Sequence, residues 1–325
     1  MKAIICTKYG PPEVLKMVDI ATPVPNDNQV LIKIFFTTVT VGDCRVRGFN
    51  VPPSYWLPAK LAMGWTKPRQ PILGTELSGV VEKVGKNVRK YKAGDKVFAY
   101  PGHFCGGYAE FICLDENACM ALKPENLSFE QAAALSFGGI TAWFFLEKGQ
   151  VAKGEKLLIY GASGSVGSAA VQIAKYLGAE VTAVCSTGNL EMVKRLGADK
   201  VIDYTTTDFT DLGEQFDAVF DTVGKTDIAK TIKAIKPNGR YLHSVTTPMT
   251  ELKIRLNLLG TDIKLVGGTY TGSVEQINFI KKIAAEGFFK PVIDRQYRFD
   301  EIVAAHEYVD QGHKKGNVTI KVVDE

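Results

Sequence analysis

Residues 157–185 read LLIYGASGSVGSAAVQIAKYLGAEVTAVC. An apolar run ends in a glycine-punctuated turn (Gly161, Gly164, Gly167), an amphipathic helix follows, and a second apolar run closes at Cys185. Glycine in such a turn permits a tight bend and lets a pyrophosphate approach the backbone. The helix that starts there turns N–H groups and a partial positive charge toward the anion. A glycine triplet alone also serves as a plain strand-to-helix turn. Here strand, triplet, helix and second strand stand in the order and spacing that a dinucleotide site requires.

The middle of the chain extends this unit. From near residue 120 to about residue 287, short apolar runs (KVIDY, FDAVFDTV, GRYLHSV, IKLVGGTY) alternate with helical stretches (NLEMVKRLG, DIAKTIKAI, VEQINFIKKIAAEG). That alternation calls for a parallel sheet covered on both faces. The turn after the second strand is where such sheets meet the adenosine ribose, usually with an Asp or Glu. Here it reads VCSTGN, with Ser186, Thr187 and Asn189 and no acid before Glu191. Nothing in that stretch repels a 2′-phosphate and several groups can donate to one, so NADPH is the expected cofactor.

The first third has another rhythm. KAIICTKY, LKMVDI, QVLIKIFFTTVTV, ELSGVVEKVG, DKVFAY and GGYAEFICL are rich in β-branched and aromatic residues and are separated by turn residues. Many short strands of this kind suggest a small barrel or sandwich. With 325 residues, 46% of them hydrophobic, the chain can build two cores. A net charge of +4 without a basic patch argues against nucleic acid as a partner. The six cysteines form no CxxC pair, as expected of free thiols in a reducing compartment. MKAIICTKYG has no secretion-signal pattern, and the longest apolar run, AAALSFGGITAWFFL, is too short to span a bilayer, so the expected location is cytoplasmic without a membrane anchor.

TVTVGDCRVRG, PILGTELSGVVEKVG, YKAGDKVFAY, GGYAEF, AAALSFGGITAW, GASGSVG, LGADKVIDY, FDAVFDTVG and GHKKGNVTIKV follow one another in this order. In this the chain resembles the medium-chain dehydrogenase/reductase superfamily, and within it the zinc-free quinone oxidoreductase and enone reductase branch. The resemblance implies an α/β protein: a GroES-like β-barrel catalytic domain built from both chain ends, taken here as 1–118 and 288–325, and a doubly wound Rossmann domain at 119–287. It points to Thr141, Gly161, Gly164, Ser165, Val166, Gly167, Ser186, Asn189, Tyr204, Val223, Gly268 and Asn317 for the cofactor, and to Thr40 and Asp43 near the chemistry. The zinc-dependent members would ligate their metal at the positions of Thr40, Thr75 and Phe137, none of them a good zinc ligand. Their proton-relaying hydroxyl would fall on Gly42. The branch usually has asparagine where Thr40 stands and often a basic residue at Asn189 and Asn317.

His103 and Cys105, with Cys113 and Cys119, match no usual zinc spacing, so no metal site is assigned. GFNVPPSYWLPAKLAMGWTKPRQP (48–71) is long for its place and carries Tyr55, Trp56, Leu57, Leu61, Met63 and Trp65. It reads equally as a lid over a planar apolar substrate and as packing against the barrel or a partner. The expected activity is NADPH-dependent, zinc-independent hydride transfer to a small, apolar, electrophilic acceptor, a quinone or a carbonyl-conjugated C=C bond. A carbonyl or alcohol dehydrogenase, and a cofactor-binding protein without catalysis (crystallin-like, redox-sensing or RNA-binding), stay open as alternatives. KLVGGTY reads as the last, exposed strand of the Rossmann sheet, and with the resemblance it implies a homodimer.

Overall fold

The structure is a computed structural model, and it describes all residues except 52–55, 103–104, 245–246 and 269–271. The chain forms two compact units, Met1–Phe137 with Thr271–Glu325, and Gly138–Tyr270. Residues 119–137 and 271–287, which the sequence motifs place with the Rossmann part, therefore belong by their contacts to the unit built from the chain ends.

In that first unit β1 (Lys2–Cys6) pairs antiparallel with β2 (Leu15–Asp19). A seven-stranded sheet is organised around β3 (Gln29–Val39), whose run VLIKIFFTTV is buried almost throughout. Two β3 edges are used. β4 (Leu77–Val84) follows one edge and pairs in turn with β5 (Lys96–Ala99), which pairs with β7 (Met120–Leu122). The other edge is shared: β6 (Phe111–Asp115) pairs with Gln29–Lys33, and the C-terminal β15 (Asn317–Lys321) pairs with Phe36–Val39. β14 (Ile293–Arg298) runs parallel to β15. An eleven-residue strand thus binds the two ends of the chain into one sheet, and its apolar faces form a core with Ile4, Leu73, Leu77, Val97, Ile302 and Ile320. The helices of this unit are α1 (Val41–Gly48), α2 (Trp56–Met63), α3 (Phe129–Ala133), α9 (Val274–Ala285) and α10 (Ile302–Asp310). α4 (Ser136–Lys148) starts in it and continues into the second.

The second unit is a six-stranded sheet: β8 (Lys156–Tyr160), β9 (Glu180–Cys185), β10 (Lys200–Asp203), β11 (Phe216–Asp221), β12 (Ile235–His243) and β13 (Lys264–Val266). The order is β10-β9-β8-β11-β12-β13, and every pair is parallel. The chain reverses its direction of winding between β8 and β11, the crevice where dinucleotides bind in doubly wound sheets. α5 (Ser165–Tyr176), α6 (Leu190–Arg195), α7 (Ile228–Lys233) and α8 (Pro248–Asn257) are the connecting helices. Among the described residues no helix is long and apolar enough to cross a membrane.

One polar network lies wholly inside the first unit. His306 on α10 is fully buried; its Nδ1 is 3.0 Å from Arg47 Nη1 and its Nε2 3.0 Å from the Tyr108 hydroxyl. Arg47 also donates to Gly10 O and forms a 2.6 Å ion pair with Asp310. Since the guanidinium can only donate, Nδ1 is an acceptor and the imidazole is neutral, with Nε2–H donating to Tyr108. Burial, with the Arg47 charge adding to it, pushes the His306 pKa from 6.5 down to about 3. The unfolded chain takes up that proton below pH 6.5 and the folded chain refuses it. The contribution is therefore intact above pH 6.5 and falls by up to about 1.4 kcal/mol per pH unit toward pH 3. In urea titrations at a series of pH values, His306→Gln should be less stable than wild type at pH 7.5 but lose stability less steeply on acidification. Parallel pH profiles for the two proteins would show that His306 does not titrate in this way.

Candidate functional site

The phosphate cradle sits at the carboxyl ends of β8, β9, β10 and β11. Three glycines make it for three different reasons. Gly161 has a φ of +81°, and a Cβ there would lie 2.2 Å from Val223 Cγ2. A Cβ on Gly167 would lie 2.1 Å from the Gly161 carbonyl oxygen, so only glycine lets α5 start this close to β8. Gly164 is unlike both: its backbone is extended, with φ −78°, and a Cβ would meet nothing nearer than Gly161 O at 3.7 Å. Neither backbone strain nor the chain's own packing requires glycine at Gly164, which is what a close-approaching ligand would require. Gly164 is also the N-cap of α5, so no side chain caps the helix, and the first turn holds no acid. At α1, α3, α8 and α9 that place is taken by Thr40, Ser128, Thr247 and Ser273, whose hydroxyls accept a first-turn N–H. The cradle fits a dinucleotide pyrophosphate.

The other residues proposed for the cofactor fall around this point or away from it as follows. Ser165 and Val166 open α5; Ser186 and Asn189 follow β9; Tyr204 follows β10 and is half exposed; Val223 follows β11. Val223 is held by Asp221, a buried carboxylate that accepts from the backbone N–H of Val223, Gly224 and Thr226 and from the Thr226 hydroxyl. Thr141 is buried on α4, and Gly268 follows β13 beside the Lys148 end of the same helix. Asn317 belongs to the first unit, where its backbone and side-chain N–H groups both donate to Val292 O.

Sequence reasoning missed Asp203. Parallel pairing sets Asp203 level with Cys185, and its Oδ2 accepts from the Thr187 hydroxyl at 2.5 Å. The turn after β9 lacks an acid of its own but receives one from the neighbouring strand. An Asp at a strand end, directly before Tyr204, was the signal available in VIDYTT.

In the first unit, Thr40, Thr75 and Phe137 do come together. Thr40 Oγ1 is 3.3 Å from Thr75 Oγ1, and a Cβ on Gly42 would lie 3.3 Å from Thr40 Oγ1 and 3.9 Å from the Phe137 ring. Two buried carboxylates organise the cluster. Asp43 accepts from the Thr40 N–H (2.9 Å), the Thr40 hydroxyl (2.7 Å) and the Gly74 N–H (3.1 Å), with the Thr75 hydroxyl at 3.5 Å. Its own N–H donates to Thr40 Oγ1, completing a capping box at the start of α1. Burial raises the Asp43 pKa to about 6 against those hydrogen bonds. Glu76 accepts from the Thr38 hydroxyl at 2.5 Å and from the Phe137 N–H at 2.6 Å, so it holds the first turn of α4. Burial raises its pKa to about 7; those two donors and the charge of Lys314 act the other way.

This cluster does not fit zinc. Thr40 and Thr75 present neutral hydroxyls already engaged with Asp43, the Phe137 side chain offers no donor atom, and both carboxylates are committed to the chain's own N–H and O–H groups. Among the described residues no three His, Cys, Asp or Glu side chains are placed to hold a metal ion. His103 lies outside the described residues; Cys105 is buried and Cys119 Sγ donates to Ser273 O.

The 48–71 stretch contributes α2. Lys60 Nζ donates to Trp65 O and lies 4.0 Å from the Phe49 ring centroid and 4.4 Å from that of Tyr9. Lys60 thus binds α2 to the unit's N-terminal segment, while Trp56, Leu57, Leu61 and Trp65 are about half exposed and Tyr55 lies outside the described residues.

Residues 26–153 match the alcohol dehydrogenase GroES-like domain family, and residues 196–320 the zinc-binding dehydrogenase family. The chain is 35% identical to a 2-methylene-furan-3-one reductase of Solanum lycopersicum, covering 98% of this chain and 79% of that protein. It is 30% identical to a quinone oxidoreductase of Homo sapiens, covering 96% and 94%. The solved quinone oxidoreductase of Coxiella burnetii superposes with a TM-score of 0.88 at 31% identity over 99% of each chain. The chain belongs to the medium-chain dehydrogenase/reductase superfamily. In this medium-chain dehydrogenase/reductase the first unit is the GroES-like domain and the parallel sheet the Rossmann domain, and the protein is an oxidoreductase among quinone and enone oxidoreductases.

Glu76, next to Thr75, caps α4 and anchors Thr38. Glu76→Ala removes the acceptor of the part-buried Phe137 N–H and of the buried Thr38 hydroxyl and should cost about 2–4 kcal/mol in chemical denaturation. Glu76→Gln, which can still accept from Phe137 and pair with Thr38, should recover most of the loss; an alanine variant as stable as wild type would refute the capping role.

Proposed function

We propose that this chain is an NADPH-dependent, zinc-independent reductase that passes hydride to quinones or to C=C bonds conjugated with a carbonyl. The observation that carries this reading is the chemistry at the three metal-ligand positions: two hydroxyls tied to Asp43 and a phenyl ring stand where a Lewis acid would have to be held. When bound, the reduced nicotinamide supplies the hydride. Gly161, Gly164, Ser165, Val166 and Gly167 would seat the pyrophosphate, Ser186, Asn189 and Tyr204 the adenosine end, and Thr141, Val223, Gly268 and Asn317 further parts of the cofactor. Support for NADPH comes from the Ser186 hydroxyl and the Asn189 amide in the turn after β9, and a relative in Arabidopsis thaliana, 31% identical, is an NADPH-dependent alkenal/one oxidoreductase.

Thr40 and Asp43 act in this reading as positioning residues. Asp43 fixes Thr40, Gly74 and Thr75, and its full burial among four donors leaves it poorly placed to exchange a proton with an acceptor. An unactivated carbonyl then has nothing to polarise it, whereas a quinone or enone is already electron-poor. Turnover on a panel of acceptors should favour quinones and enones over unconjugated aldehydes by at least about a hundredfold in kcat/KM, because a Lewis acid contributes several kcal/mol to the latter. Prolonged chelation should leave the rate unchanged. Comparable rates on simple aldehydes, or activity lost with a stoichiometric zinc, would overturn the reading.

A homodimer and a cytoplasmic location belong to the same proposal. Among the described residues β13 pairs on one side only, with β12, and Met249, Leu252, Leu256 and Leu259 expose an apolar stripe on and just after α8. An open edge and an apolar stripe in one unit support pairing with a second copy. Light scattering at micromolar concentration should give twice the chain mass, and a monomer there would reject it.

A further inference from the structure

We infer that Asp203 is a cofactor-discriminating residue: its carboxylate, held against the turn after β9, acts on the 2′-phosphate of NADPH and narrows the choice between NADPH and NADH. This rests on the proposal that the chain takes NADPH.

The turn Ser186–Asn189 is where a doubly wound sheet meets the adenosine ribose. Asp203 reaches it from the next strand and is fixed there by three donors: Thr187 Oγ1 to its Oδ2 at 2.5 Å, and Thr205 N (2.9 Å) and Oγ1 (2.7 Å) to its Oδ1. Thr187 and Thr205 hydroxyls are themselves 3.1 Å apart, so the carboxylate is pinned from both sides. Those hydrogen bonds hold its pKa below the ordinary carboxylate range, and it is charged at neutral pH. Among the described residues Asp203 forms no ion pair, while Lys175 and Lys200 pair with Asp199 and Glu214.

Asn189 supplies a second, independent sign that a ligand completes this turn. It is buried, its Nδ2 donates to Ser186 Oγ at 3.0 Å, and its Oδ1 has no hydrogen-bond partner. A buried amide oxygen without a donor is costly, and a ribose hydroxyl can supply the donor. If the amide turns over, Ser186 donates to Oδ1 and the Nδ2 group is released to a phosphate. Asn189 therefore serves either nucleotide. Asp203 does not: it accepts from a ribose hydroxyl and repels a phosphate. The fixed charge is the element that discriminates.

The test is direct binding, with the purified full chain and its Asp203→Asn variant. Asn keeps the shape of Asp and can still accept from Thr205, so a fold defect is not built in. By calorimetry, Asp203→Asn should bind 2′,5′-ADP about five- to tenfold more tightly than wild type and 5′-ADP within about twofold, and the gain should shrink in high salt. In turnover the KM for NADPH should fall while kcat holds. If both probes change equally, Asp203 is only a brace of the turn and the inference fails. If wild type binds 2′,5′-ADP and the variant gains nothing, the inference fails while the NADPH reading stands. If neither protein binds 2′,5′-ADP, both fall together.

Discussion

A carboxylate sealed from water must be satisfied by the chain, and in the GroES-like domain Asp43 imposes that constraint on everything around it. With no solvent exposure, Asp43 draws in the N–H and hydroxyl of Thr40, the N–H of Gly74 and the hydroxyl of Thr75. These donors come from the start of α1 and from the turn before β4, so one side chain fixes two segments some thirty residues apart in sequence. Glu76 repeats the arrangement one step along the turn, joining Thr38 at the end of β3 to Phe137 in α4. Positions that in other members of the superfamily would surround a metal are here held together by hydrogen bonds.

That substitution has a chemical consequence. A metal centre organises its surroundings by charge and leaves a coordination position open to substrate. A hydroxyl–carboxylate cluster organises them equally well but leaves no open position, since each oxygen already has its donor. On the proposed reading the Lewis acid is given up, and the range of acceptors narrows to those that need no polarisation.

The Rossmann domain obeys a different constraint, which is space. Gly161 and Gly167 are fixed by contacts within the chain, because any Cβ would overlap Val223 or the Gly161 carbonyl. Gly164 is fixed by nothing in the chain. That contrast separates glycines that build the fold from one that the fold itself does not require. The buried carboxylate of Asp221 plays a part like that of Asp43, collecting four donors so that the loop carrying Val223 takes one conformation.

The sequence by itself determined the parallel sheet, its glycine turn and the superfamily, because these depend on local pattern: short apolar runs alternating with helical stretches, a glycine-punctuated turn, and motifs read in order. It also determined which atoms stand at the metal positions, since residue identity alone decides that Phe137 has no ligand atom. Tertiary structure decided the rest. That 119–137 and 271–287 side with the chain ends follows from their contacts in the folded chain, not from their own periodicity. That Asp43 is a brace depends on its burial, and nothing in GDC states burial. That an acid stands in the turn after β9 depends on the register Asp203↔Cys185 between two strands 18 residues apart, which no local stretch can express. Local pattern sets the elements; only their packing decides which charges meet.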